Sequence, residues 1–285
     1  MTYTGAPIYL LAGPTASGKS AKALAWARKH NGTILNADSM QLYADVPILT
    51  ARPSAEETAG APHLLYGHLA PTLTWSAGDW LRAARPHIDA ATPQSPLCIV
   101  GGTGLYFNTL VYGLADIPDI ADDVRLTARD TCAAMDEASF RDMLKRRDPR
   151  AEARIKPNDR QRLSRAYEVW LQTGVALSDW QAQTTPALVE GSYELEILQP
   201  DRDWLYARCD ERLRLMLAHG ALTEVETLMA QGLQPDWPIM RVLGLGECVA
   251  LLNGEMTPEA ALAQAQQVTR NYAKRQGTWF RNQFR

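Results

Sequence analysis

Cysteine is scarce and scattered in this chain. Cys98, Cys132, Cys209 and Cys248 lie far apart, no C-x-x-C pair occurs, and the five histidines do not cluster. Such usage suggests neither a disulfide framework nor a zinc site, and leaves the cysteines as small core residues. Long apolar runs are also missing, so no segment approaches the roughly 20 residues of a membrane span. The first residues carry no charged, apolar, cleavable leader, and the expectation is a soluble, cytoplasmic protein that does not engage a membrane. There is no internal repeat and no low-complexity tract. One carboxylate is conspicuously absent: the apolar run Leu97 to Val100 ends in Gly101-Gly102, where many phosphate-loop ATPases place an acid. That weighs against a motor or a switch. With 285 residues and 46% hydrophobic content, the chain can bury a real core as one large domain or two unequal ones.

What is present begins with Gly13-Pro14-Thr15-Ala16-Ser17-Gly18-Lys19-Ser20, which fits G-x-x-x-x-G-K-[ST] and follows the apolar run Ile8 to Ala12. Strand, glycine turn and helix in that order are the context in which this spacing means a phosphate-binding loop. The two glycines let successive N–H groups converge on one anion, and the following helix adds the partial positive charge of its N-terminus. Lys19 brings a full charge to the outer phosphate, and Ser20 offers a hydroxyl to Mg²⁺.

Strand and helix patterns alternate through the first third: strands at 8–12, 33–37 and 97–100, helices at 19–30 and 77–91, the second interrupted or kinked at Pro86. This is the rhythm of a parallel sheet flanked by helices, whose ligands sit outside the carboxyl ends of the strands. After Leu114 the rhythm breaks. Ala115-Asp116-Ile117-Pro118-Asp119 reads as a linker, and the pattern is helical as far as Thr173-Gly174. In the helix beginning near Asn158, Leu163, Ala166, Tyr167, Trp170 and Leu171 form the inward face, while Gln161 and Arg165 share the opposite one. A strand returns at 193–198, followed by long helices. The fold class expected is α/β: a sheet core with a phosphate loop, built from 1–114 and 192–285, and an all-helical insertion at 115–191.

Charge is distributed unevenly. Arg141 to Arg165 holds ten basic residues against four acidic, and the last sixteen residues hold five basic and no acid, on a chain whose net charge is -3. Two basic zones on an otherwise acidic chain suit a polyanion larger than a pyrophosphate; solvated helix faces are the bland alternative. Tyr272, Trp279, Phe280 and Phe284 interleave with Lys274, Arg275, Arg281 and Arg285, and unpaired bases stack on such side chains.

Three further features can serve chemistry or mere structure. Asp38, in Asp38-Ser39-Met40-Gln41 after the second strand, can bind Mg²⁺ or accept a proton, or can simply cap a turn. Gly101-Gly102-Thr103-Gly104 can form a second anion nest with the Thr103 hydroxyl as donor, or a tight strand-to-helix turn. Arg208 and Arg212, one helical turn apart, can face a ligand or pair with Asp210 and Glu211.

Taken together, GPTASGKS at 13–20, DSMQLY at 38–43, GGTGLY at 101–106, PNDRQRLSR at 157–165 and KRQGTWFR at 274–281 resemble the bacterial tRNA dimethylallyltransferases (tRNA isopentenyltransferases) over nearly the full length. The resemblance implies transfer of a dimethylallyl group from dimethylallyl pyrophosphate to N6 of the adenosine immediately 3′ of a tRNA anticodon, with Mg²⁺ required. It implies that residues 13–20 hold the donor's pyrophosphate, that Asp38 is the base, and that Thr103 and Arg212 act at the reacting centre toward pyrophosphate. It places Asp38, Ser39, Met40, Gln41, Thr103, Arg125, Gln161, Arg162, Arg165, Arg241, Lys274, Arg275, Gln276, Trp279 and Arg281 against the tRNA anticodon arm. A monomer is expected. The segment from Arg241 departs from the family at Leu245 and Gly246, where members often carry tyrosine and arginine. Other readings of the same residues are a small-molecule kinase, a nucleotide-regulated RNA-binding protein, and prenylation of free AMP.

Overall fold

The structure, a computed structural model, describes residues 6–284; Arg285, counted above among the basic aromatic residues, lies outside them. The chain forms two compact units, one made of residues up to Val111 and from Leu188 onward, the other of Tyr112–Ala187.

In the first unit the chain runs β1 (Ile8–Ala12), α1 (Lys19–His30), β2 (Thr33–Asn36), α2 (Ala55–Ala59), β3 (His63–Leu64), α3 (Ala77–Asp89), β4 (Leu97–Gly101) and α4 (Gly104–Tyr112). The short α2 starts on a reciprocal capping box, Ser54 with Glu57, and β3 has only two residues. All five residues of β1 and of β4 are buried, as expected of central strands covered on both faces. Helix α3 does not break at Pro86 but continues to Asp89. Pro86 and Arg82, whose carbonyl loses its intrahelical partner, are both exposed, so water can satisfy that carbonyl.

The helical unit contains α5 (Asp122–Ala134), α6 (Glu137–Lys145), α7 (Pro149–Arg154), α8 (Arg160–Thr173) and α9 (Leu177–Gln181). Ala128, Cys132, Phe140, Leu144, Leu163, Ala166 and Tyr167 form its core. Several of its basic residues are structural. Arg141 pairs with Glu137 and Glu152 and donates to the carbonyls of Glu152, Ile155 and Lys156. Arg147 donates to the Met143 carbonyl and lies 4.4 Å over the Trp170 ring, while Arg160 holds the Met135 carbonyl. The cluster read as a polyanion footprint is therefore partly internal glue. Arg141→Met is expected to lower the stability of this unit by about 2 kcal/mol, because several acceptors lose their donor at once; a urea melt followed by circular dichroism measures it.

The first unit resumes with β5 (Tyr193–Ile197), α10 (Arg202–Ala218), α11 (Ala221–Ala230), α12 (Leu245–Leu252) and α13 (Pro258–Gln283). Its sheet is entirely parallel in the order β3-β2-β4-β1-β5. Register sets the site: Ala12 lies beside Gly101 and Asn36 beside Val100, so the turns after β1, β2 and β4 leave one edge together. They are tied by backbone hydrogen bonds, Gly13 N–H to Gly101, Ala37 N–H to Val100 and Thr103 N–H to Ala37.

Candidate active site

The loop after β1 curls where the glycines require it. Gly18 has φ +88° and Ala16, though it carries a Cβ, has φ 61°. A left-handed residue of that kind needs its neighbours to hold it, and α10 does so: Arg208 Nε donates to the Ala16 carbonyl (3.1 Å) and Arg212 Nη1 to Thr15 Oγ1 (3.2 Å). Asp210 and Glu211 pair elsewhere, with Arg270 and Arg214, so the two arginines face the loop and not these carboxylates, Arg208 also lying over the Trp204 ring. Helix α1 starts at Lys19 without a side-chain cap, leaving its first amides free to receive an anion.

Lys19 is 8% exposed, and its ammonium reaches the Pro14 carbonyl at 3.2 Å. Burial lowers its pKa to about 8; the Asp38 carboxylate opposes that shift and the Arg212 cation adds to it. Arg212 itself is pulled down by burial, against the same carboxylate. A buried cation and a partly buried one thus converge with a single carboxylate nearby, an arrangement short of negative charge.

Asp38 sits on a turn braced from several sides. Asn36, wholly buried, accepts from the Asp38 N–H and donates to the carbonyls of Asp38 and Leu65, and Trp80 Nε1 donates to the Asn36 carbonyl at 2.8 Å. Sequence reasoning missed Asn36; an amide side chain ending an otherwise apolar strand is the signal. The Asp38 carboxylate accepts from Met40 N–H at 3.1 Å, so it caps its own turn with one oxygen while its side chain lines the cavity described below. Thr103 accepts from Ser39 N–H (2.9 Å) and donates to Ser39 Oγ (3.1 Å). Gly101–Gly104 makes a strand-to-helix turn in which the Thr103 N–H is committed to the Ala37 carbonyl. Gln41 is half-buried and spends its amide on the carbonyls of Thr50 and Ala51.

These pieces line one cavity. Thr15, Lys19, Ser20, Asp38 and Arg212 give it a polar, cationic lining; Leu49, Leu213, Met216, Val242 and Leu243 give it apolar surface, with Tyr272 also on the wall. Such a space suits an anion carrying a small apolar body. Among the described residues no group of three or more His, Cys, Asp or Glu side chains can hold a metal. Ser20 and Asp38 nevertheless bring two hard oxygen donors to the cavity, which fits Mg²⁺, an ion that takes few protein ligands and completes its shell with phosphates and water.

The residues expected to meet RNA separate into two groups. Gln161, Arg162 and Arg165 are exposed on α8, with Arg162 paired to Asp159 and Arg165 to Glu168. Arg125, half-exposed, donates to the Ile120 carbonyl. Lys274, Arg275 and Arg281 are exposed on α13, and Arg241 is exposed on a short turn before α12. The others are engaged inside the protein. Gln276 is buried, Trp279 packs over Gly104, and Phe280 is buried edge-on against Phe107. The C-terminal aromatics therefore anchor α13 more than they offer a stacking platform.

A parallel sheet in this order, a strand–glycine loop–helix turn and a carboxylate on the neighbouring strand end define a phosphate-loop type of α/β protein. The family model described as IPP transferase matches residues 41–283, and that described as isopentenyl transferase matches 6–66. The chain is 51% identical to a tRNA dimethylallyltransferase of Caulobacter sp. (strain K31), covering 97% of this chain and 90% of the relative. It superposes on a tRNA delta(2)-isopentenylpyrophosphate transferase of Staphylococcus epidermidis with a TM-score of 0.66 at 32% identity, covering 98% and 91% of the two chains. A eukaryotic dimethylallyltransferase acting on tRNA gives a TM-score of 0.82 at 26% identity, covering 96% of this chain and 69% of that one. The chain belongs to the IPP transferase family of tRNA dimethylallyltransferases.

Proposed function

We propose that the protein transfers a dimethylallyl group from dimethylallyl pyrophosphate to N6 of the adenosine immediately 3′ of a tRNA anticodon, in the cytoplasm and as a monomer. The observation that carries this is a single cavity lined both by the cations Lys19 and Arg212 and by the apolar Leu213, Met216 and Val242, with Asp38 on its wall. Pyrophosphate occupies the loop and the five-carbon chain lies against the apolar side chains. The C1–O bond breaks as the N6 lone pair forms the new C1–N bond; pyrophosphate leaves with the bonding electrons, and Asp38 accepts the N6 proton. Lys19 and Arg212 meet the charge gathering on the departing oxygen. Ser20, with Asp38 nearby, would hold Mg²⁺, which would supply further charge neutralisation. Thr103, through Ser39, fixes the turn that carries Asp38. The target adenine must leave its stack to reach the carboxylate, and the exposed cations of α8 and α13 hold the anticodon arm while it does.

The direct test is to incubate the protein with Mg²⁺, dimethylallyl pyrophosphate and unmodified tRNA bearing A next to the anticodon, digest, and seek N6-dimethylallyladenosine by mass spectrometry, with AMP and ATP in parallel. Product on tRNA alone supports the reading, whereas prenylated AMP or consumed ATP overturns the acceptor. Two finer expectations accompany it. Donor binding needs the Lys19 ammonium, which the free protein loses as pH rises through about 8, while bound phosphate restores the higher pKa. Donor affinity is therefore flat below that pH and falls about tenfold per unit above it; calorimetric titration from pH 7 to 9.5 reads it, and a flat profile throughout would remove Lys19 from the phosphate. Arg165→Ala should reduce the salt dependence of tRNA binding by about one ion-release unit, because its exposed pair with Glu168 gives way readily to a phosphate. An unaltered slope would place Arg165 off the RNA.

A further inference from the structure

Gln276 does something that its neighbours on α13 do not. Lys274 and Arg275 face outward, but Gln276 is 6% exposed and both ends of its amide are engaged. Its Oε1 accepts from the Thr15 N–H at 2.8 Å, and its Nε2 donates to the Gly102 carbonyl at 2.8 Å. One side chain thereby bridges the loop after β1 and the turn after β4. The fit is built from both sides. A Cβ on Gly102 would overlap the Gln276 amide, and a Cβ on Gly104 would overlap the Trp279 ring; glycines two apart thus receive side chains three apart, one helical turn of α13.

Thr15 is where this bridge matters. It precedes Ala16, the left-handed residue of the loop, and follows Pro14, which has no N–H. Gln276 fixes its N–H while Arg212 fixes its hydroxyl, so the entry to the curl is pinned at two atoms before any ligand arrives. The Thr15 amide is spent on the protein and the Ser17 amide on the Pro14 carbonyl, while those of Ala16, Gly18, Lys19 and Ser20 remain for an anion. We infer that Gln276 is a positioning residue for the donor's pyrophosphate, acting through Thr15 by holding the loop in its anion-binding curvature. The inference rests on the donor reading above and adds a role inside the protein for a position that the family resemblance assigns to RNA contact. Preorganised donors bind better because the loop loses no freedom on binding.

The test compares the full-length parent with Gln276→Met, which keeps the length and volume of the side chain but makes neither hydrogen bond, and with Gln276→Asn, which keeps the amide but is one methylene too short. Calorimetry with dimethylallyl pyrophosphate and separately with inorganic pyrophosphate, tRNA binding by filter retention, and thermal unfolding are measured on each. Both variants are expected to lose about tenfold or more in affinity for both pyrophosphates, with tRNA affinity close to the parent's and an unfolding temperature only a few degrees lower, from the two buried groups left unpaired. In steady state the donor KM should rise by a similar factor with little change in kcat. Parent-like donor affinity in Gln276→Met would overturn the inference while leaving the donor reading intact. Loss of tRNA affinity with donor affinity retained would return Gln276 to an RNA contact. A parent protein that binds neither pyrophosphate would remove the donor reading and this inference with it.

Discussion

Asp38→Asn binds tRNA and donor much as the parent does and turns over about 10³-fold more slowly, within the range that a positioned general base contributes. The amide preserves what the carboxylate does for the fold. Its oxygen still accepts from the Met40 N–H, and the Asn36 and Thr103–Ser39 braces do not involve the Asp38 side chain. It cannot take the N6 proton. Single-turnover experiments at saturating donor and tRNA isolate the chemical step, and a rate within about tenfold of the parent would strip Asp38 of the base role. A second consequence has a definite sign. Asp38 holds the Lys19 ammonium up against the effect of burial, so removing its charge moves the fall in donor affinity to lower pH.

Gly101→Ala is expected to cost of the order of 3 kcal/mol or more. The new Cβ would overlap the carbonyl of Ala37, with the Ala37 Cα 2.8 Å away. Both clashing groups are backbone, so no rotamer relieves them. The β2 and β4 ends must part, which breaks the hydrogen bonds Ala37 N–H to Val100 and Thr103 N–H to Ala37 and moves Asp38 away from the loop. Urea unfolding should show the loss, and activity should fall with it. Gly246→Ala is the contrast: nothing lies within 4 Å of the Cβ it adds, and Gly246 lies in α12. It should stabilise by about 0.5–1 kcal/mol. Equal behaviour of the two alanine variants would mean that the β2–β4 contact is not what demands glycine at 101.

Much of the core was legible because its signals are local. The loop at 13–20 carries its own spacing, and the apolar runs of β1 and β4 are too short and too β-prone for helices. Asp38 drew notice because strand ends face the ligand edge in parallel sheets. The opaque parts depend on partners distant in sequence. No periodicity reveals that Thr103 meets Ser39, that Arg141 is consumed by Glu137 and Glu152, or that Arg208 and Arg212 reach back to the first loop. Charge counting read the 141–165 segment as one surface, but a guanidinium has five donors and can satisfy carbonyls inside a fold as readily as phosphates outside it. Pro86 misled for the opposite reason, since its penalty is a lost hydrogen bond that water replaces on an exposed face.

The clasp between Thr15 and Gln276 spans 261 residues, almost the whole length of the chain, and this has a consequence for synthesis. A ribosome adding about 5–20 residues per second makes the loop first and its clasp last, so the loop waits on the order of tens of seconds for the residue that sets it. Nascent chains, and products that stop short of α13, therefore carry the loop's sequence without its finished shape.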